Sequence, residues 1–158
     1  MPMLLPAPLH RALLPWAHRI RHSWRRWRGT PIAGVNVVIT NLSGDVLLLK
    51  HSYGPDVWGL PGGGLKPGED PLDAARREVR EELGIALAQI EQFAMLEEMI
   101  SGSPHTAHLF AAVCDQQPKP DCREIIEARF FPPHSLPEPL GRITRARITA
   151  WKARGVNP

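Results

Sequence analysis

The chain has 158 residues, a length that suits one domain with a sizeable core. Its formal charge is +3 with no long run of like charge, and no apolar run approaches bilayer length, which argues against a polyionic tail and a membrane-spanning helix. The two cysteines, Cys114 and Cys122, are too few for a disulfide scaffold and lack metal-ligand spacing, so reduced thiols in a cytoplasmic protein are expected.

Charge is unevenly placed. No acidic residue precedes Asp45, six arginines fall between Arg11 and Arg28, and acidic residues concentrate between Glu69 and Glu98. Residues 1–29 therefore read as a basic extension ahead of a domain over 30–158. After the proline-punctuated Met1–Pro8, apolar residues at Leu9, Leu13, Trp16, Ile20, Trp24 and Trp27 trace an amphipathic helix, begun or interrupted near Pro15. Its apolar stripe suits docking on the chain's own domain or on a second copy in a homodimer. An anionic membrane surface is the alternative, since Trp and Arg suit that interface. Nucleic-acid contact fits less well, and an Arg-rich transit peptide would carry more serines.

Gly34–Thr40 and Val46–Leu49 are apolar, β-branched runs joined by the turn residues Asn41–Asp45, a β-hairpin pattern. Lys50 then either reaches a substrate phosphate or simply ends the strand. Val57–Leu60 reads as a short strand in which Trp58 is a packing anchor rather than a base-stacking residue. Pro61 and the glycines Gly62, Gly63 and Gly64 follow. A glycine turn lets a phosphate chain or a cation approach the backbone, so these three are candidate substrate-binding positions.

A helix is expected from Asp70 to Gly84. Asp70 can cap it, Pro71 suits its first position, Asp73 favours the positive end of the dipole, and Gly84 can take the left-handed conformation that ends it. Leu72, Ala75, Val79 and Leu83 form its apolar stripe, while Glu78, Glu81 and Glu82 converge on a neighbouring face. Beyond it, Ala86–Met99 suits one or two strands with a wet face, Ser101–Pro104 a loop and Thr106–Cys114 a strand. His105 and His108 fit surface positions better than ligand contacts. Gln116–Asp121 is a polar loop, and Glu127–Phe131 is a strand ended by Pro132 and Pro133. Gly141–Arg154 is a basic amphipathic helix with Ile143, Ile148 and Trp151 facing inward. Hairpins with one helix in the middle and one at the end make a mixed α/β domain.

Three carboxylates on one helix face repel each other, and a hard divalent cation such as Mg2+ resolves the repulsion with oxygen ligands. Such a cation can polarise a phosphoryl oxygen, orient the substrate and acidify water. An acidic surface patch is the bland alternative. The wider spacing decides between them: Gly63, Glu69, Arg77-Glu78-Val79, Glu81-Glu82 and Gly84-Ile85 match every position of the Nudix box, so the chain resembles the Nudix hydrolases. Weaker likeness, including Trp58-Gly59-Leu60-Pro61, runs over about Gly34 to Pro137.

The resemblance implies an α/β/α sandwich around a mixed sheet, with the box as a strand-loop-helix. It implies a Mg2+-dependent pyrophosphohydrolase, with Mn2+ as a substitute, that cleaves a nucleoside diphosphate linked to another group by water attack on phosphorus. Glu78, Glu81 and Glu82 are the implied metal ligands, joined by the Gly63 carbonyl. Arg77 is implied to orient them, and Glu69 to act structurally or in the outer sphere. One of the three glutamates, or a glutamate outside the box, is the general base. Glu124 is the first candidate outside it, with Glu127, Glu97 and Glu98 as competitors. The Tyr or Pro that marks some dinucleotide-polyphosphate and ADP-ribose hydrolases is missing from Ile100–Ser103, so the substrate stays open. A nucleotide-sensing module without turnover is the other reading, but such members often lose box carboxylates.

Overall fold

The computed structural model describes residues 32–155. The amphipathic helix expected within residues 1–29 lies outside them. Eight elements follow in order: β1 (Ile32–Thr40), β2 (Val46–His51), β3 (Gly62–Gly64), α1 (Pro71–Leu83), β4 (Glu91–Ile100), β5 (Ser103–Val113), β6 (Ile125–Phe131) and α2 (Arg142–Ala153).

The strands form one sheet in the order β4-β5-β1-β2-β6, with β3 also paired to β1. β1 runs parallel to β5, and the other pairings are antiparallel, so the sheet is mixed. β1 sits centrally and is covered on both faces, which is why its sequence is a nearly unbroken apolar run rather than an alternation. Val35, Val37 and Ile39 pack with Ala75, Val79 and Leu83 of α1. Val38 packs on the opposite face with Leu48, Trp58 and Ile148 of α2. The fold is thus the α/β/α sandwich expected from the sequence.

Trp58 is buried and meets Phe131 edge-on, with ring centroids 4.8 Å apart, so it anchors packing. α1 begins and ends on its expected signals. The Asp70 carboxylate accepts from the Leu72 amide at 2.8 Å, and Gly84 closes the helix at φ +66°. Replacing Asp70 by Ala should cost about 1 kcal/mol, read as a lower thermal midpoint of about 2–4 °C.

Four expectations need correction. Val57–Leu60 is not a strand: Trp58 and Gly59 make single bridges to Leu140 and Leu49, and the glycines pair with β1 instead. The loop expected over Ser101–Pro104 shrinks to Ser101 and Gly102, whose φ values of +51° and +77° suit a two-residue hairpin turn. The last strand starts at Ile125, ahead of Glu127. Ile143 faces outward and is 47% exposed. The buried positions of α2 are Thr144, Arg147 and Ile148, and Trp151 continues their stripe partly buried. Polar residues in that stripe masked its register.

Candidate active site

The glycine turn and α1 meet through a buried carboxylate. Glu82 is 5% exposed, and its Oε2 accepts from the Gly62 amide at 3.1 Å. Burial raises its pKa well above the usual carboxylate value, the Gly62 hydrogen bond opposes that, and the negative charges of Glu78, Glu124 and Asp121 add to the rise. Glu78 lies one turn back along the helix. Its pKa is also raised, chiefly by burial, with Arg77 opposing and Glu81 and Glu124 adding repulsion. A Cβ on Gly63 would fall 2.5 Å from Cδ and Oε1 of Glu78, so glycine is what lets this carboxylate lie against the turn.

Arg77 ties the pieces together. Its Nε and Nη2 grip both oxygens of Glu69 at 2.7 and 2.9 Å, and Nη2 also donates to the Gly64 carbonyl at 3.1 Å. Nη1 donates to Glu78 at 2.8 Å and to the more exposed Glu81 at 3.3 Å. This fork leaves little freedom between the end of β3, the loop and the helix. Arg77, and then the Lys66 amide, hold the Glu69 carboxyl down to about 2, while Glu69 above all raises the Arg77 guanidinium.

Glu124 arrives from the loop before β6. Asp121 Oδ1 accepts from the amides of Arg123, Glu124 and Ile125 at 2.9–3.0 Å, and the Glu124 carbonyl accepts from the Ser52 amide at 2.8 Å. That loop brings the Glu124 charge close enough to raise both Glu78 and Glu82. The competitors are engaged elsewhere: Glu97 accepts from Thr106, Glu98 pairs with His105 and Arg147, and Glu127 pairs with Arg129. Asp121 and Ser52 were not singled out from sequence. An Asp three residues before a candidate glutamate is a turn signal that points to the first of them.

Lys50 pairs with Asp56 at 3.0 Å and lies over the Trp58 ring. Gly62 lines a cleft of about 1010 Å³ on the α2 side of the sheet, bordered also by Tyr53, Trp58, Ile100, Arg142 and Arg147. Gly63 backs Glu78, and Gly64 receives Arg77.

The donor set suits a hard divalent cation: oxygen ligands only, one of them the buried Glu82 and another the partly buried Glu78. Among the described residues no three acidic, His or Cys side chains already converge as ligands, and Arg77 Nη1 bonds both Glu78 and Glu81. Glu78, Glu81 and Glu82 are the residues that would hold the ion, with the Gly63 backbone beside them.

The sequence profile of the NUDIX domain matches residues 30–152. The chain belongs to the Nudix hydrolase family. It is 41% identical over 51 residues to an RNA pyrophosphohydrolase of Rhodospirillum rubrum, covering 32% of this chain and 31% of that protein. It is 54% identical over 41 residues to diphosphoinositol polyphosphate phosphohydrolase 2 of Rattus norvegicus, covering 26% and 23% respectively. These matches span about a third or less of either relative. A MutT Nudix hydrolase from Burkholderia pseudomallei superposes with a TM-score of 0.69 at 28% identity, over 77% of this chain and 98% of that one. The Nudix domain of Shewanella oneidensis NrtR, solved with ADP ribose, superposes at 0.70 and 19% identity, over 79% and 88%, a likeness of fold. No helix among the described residues of this Nudix protein is long and apolar enough to cross a membrane.

Proposed function

We propose that the chain is a Mg2+-dependent hydrolase of phosphorus anhydrides, with Mn2+ as a substitute. It cleaves the diphosphate bond of a nucleoside diphosphate linked to another group, in a cytoplasmic setting. The observation that carries this is the box helix joined to the glycine turn, with Glu82 buried and bonded to the Gly62 amide and Glu78 lying against Gly63.

Glu78, Glu81 and Glu82 hold the cation in this reading, and Gly63 offers its carbonyl. When bound, a divalent cation polarises the phosphoryl oxygens and acidifies water. The chain's own groups do the rest. Arg77 bonds Glu78 and Glu81 from between them and so limits their rotamers, and a cation held by both would take the place of its Nη1. Glu124, held by its Asp121-capped loop, accepts the proton of the attacking water. The turn gives a diphosphate room to approach without meeting side chains. The remainder of the substrate lies toward the cleft beside Gly62, whose described lining includes Arg142 and Arg147 and no carboxylate.

A panel of substrates with Mg2+ or Mn2+ and identification of products tests the reading. It should span ADP-ribose, nucleoside triphosphates, nucleotide sugars, dinucleoside polyphosphates, 5′-triphosphate and capped RNA, and diphosphoinositol polyphosphates. One class should turn over only with a divalent cation. Tight binding of a nucleotide with no metal-dependent turnover of any would replace the enzyme with a sensing module.

A further inference from the structure

A polar relay crosses the sheet and ends at Glu82. It starts on the α2 side, where Arg147 is 7% exposed and donates to both Glu98 on β4 and the Asn36 side-chain oxygen on β1. Glu98 also pairs with His105 on β5 at 3.1 Å. A buried guanidinium needs such partners. The bond from Arg147 fixes the Asn36 amide: its oxygen must face the guanidinium, so its nitrogen faces the other way. There Nδ2 donates to the Pro61 carbonyl at 3.4 Å, the same carbonyl that the Val37 amide reaches at 3.0 Å. The next residue is Gly62, whose amide holds Glu82. The turn is pressed onto Asn36 closely: a Cβ on Gly62 would lie 2.8 Å from Asn36 Nδ2 and 2.0 Å from the Val35 carbonyl.

We propose that Asn36 is a positioning residue for the reaction, that it acts by fixing the Pro61–Gly62 peptide that orients Glu82, and that Arg147 acts through it. This rests on the hydrolase reading above. Asn36 does not touch the reacting atoms. It sits in the floor of the cleft and, with Arg147, connects the C-terminal helix to the carboxylate on the far side of the sheet.

The test measures hydrogen exchange of the Gly62 amide by NMR, with kcat and KM in parallel. Asn36→Asp is the informative variant, because it keeps a partner for Arg147 while replacing the donor to Pro61 with a carboxylate oxygen that repels that carbonyl. Asn36→Asp and Arg147→Met should each speed Gly62 exchange about tenfold, and the double variant no further, since the two act in series. For the substrate found in the panel, kcat should fall about tenfold in each single variant. Unchanged Gly62 exchange in a folded Asn36→Asp protein overturns the proposal. So do additive effects in the double variant, or faster exchange with unchanged kcat. If the wild-type chain is inert on every substrate while Gly62 exchange shifts as expected, the relay stands and the hydrolase reading falls.

Discussion

Replacing Glu82 by Gln should make the metal-free protein more stable at pH 7 and at the same time remove its turnover. The reasoning starts from burial. The folded-state pKa of Glu82 is raised well above 4.5, chiefly by burial. Below the unfolded pKa both states carry the proton, and the stability it contributes is fully present. As pH rises, the unfolded chain releases its proton first and that stability is lost up to the folded pKa. Above that point the native state carries a buried charge. Gln keeps an oxygen to accept from Gly62 and carries no charge, so the variant escapes the loss. In EDTA its thermal midpoint should exceed the wild type at pH 7, by about 2–4 °C for each kcal/mol, and the gap should close near pH 4. Mg2+ should raise the wild-type midpoint more than that of the variant. The same substitution should lower kcat roughly 10³-fold, about 4 kcal/mol of barrier. A variant less stable than wild type in EDTA at pH 7 would show that Glu82 serves the fold instead.

Gly63→Ala should produce the other large effect, with the opposite balance. The added Cβ meets the carboxylate of Glu78 at 2.5 Å, and that carboxylate, though bonded by Arg77, is the far end of a side chain rather than backbone. The collision is therefore relieved by moving Glu78, and the fold survives. Metal affinity and kcat should each fall on the order of 10²-fold, as expected when a ligand is displaced by an ångström or so. The thermal midpoint should drop by no more than a few degrees. Wild-type kcat in Gly63→Ala would mean that Glu78 need not lie against the turn.

Much of this site was legible in the sequence because its determinants are local. The α1 cap, its stop glycine and the spacing of Glu78 and Glu82, one helical turn apart, all fall within one stretch, while Glu81 lies on the more exposed side of Glu78. Arg77 and Glu69, eight residues apart in the same stretch, are joined by side-chain hydrogen bonds. What was hidden depends on distant partners. The strand character of Gly62–Gly64 comes from pairing with Gly34–Asn36, which no glycine run announces. Placing the Glu124 charge beside Glu78 and Glu82 required the fold of the 121–125 loop. The inward face of α2 was misjudged because Thr144 and Arg147 occupy it, and Arg147 is tolerated there only by virtue of Asn36 and Glu98. One sign of that network was visible all along: Asn36 is the lone amide in the apolar run Ile32–Ile39.

The most direct measurement is a Mn2+ titration of the full chain followed by electron paramagnetic resonance, with and without the substrate nucleotide, in wild type and Glu82→Gln. Saturable binding in the wild type that is strengthened by nucleotide and weakened at least tenfold in the variant is the predicted result. No saturable binding in the wild type even with nucleotide, or equal binding in both proteins, would contradict the claim that these carboxylates exist to hold a divalent cation.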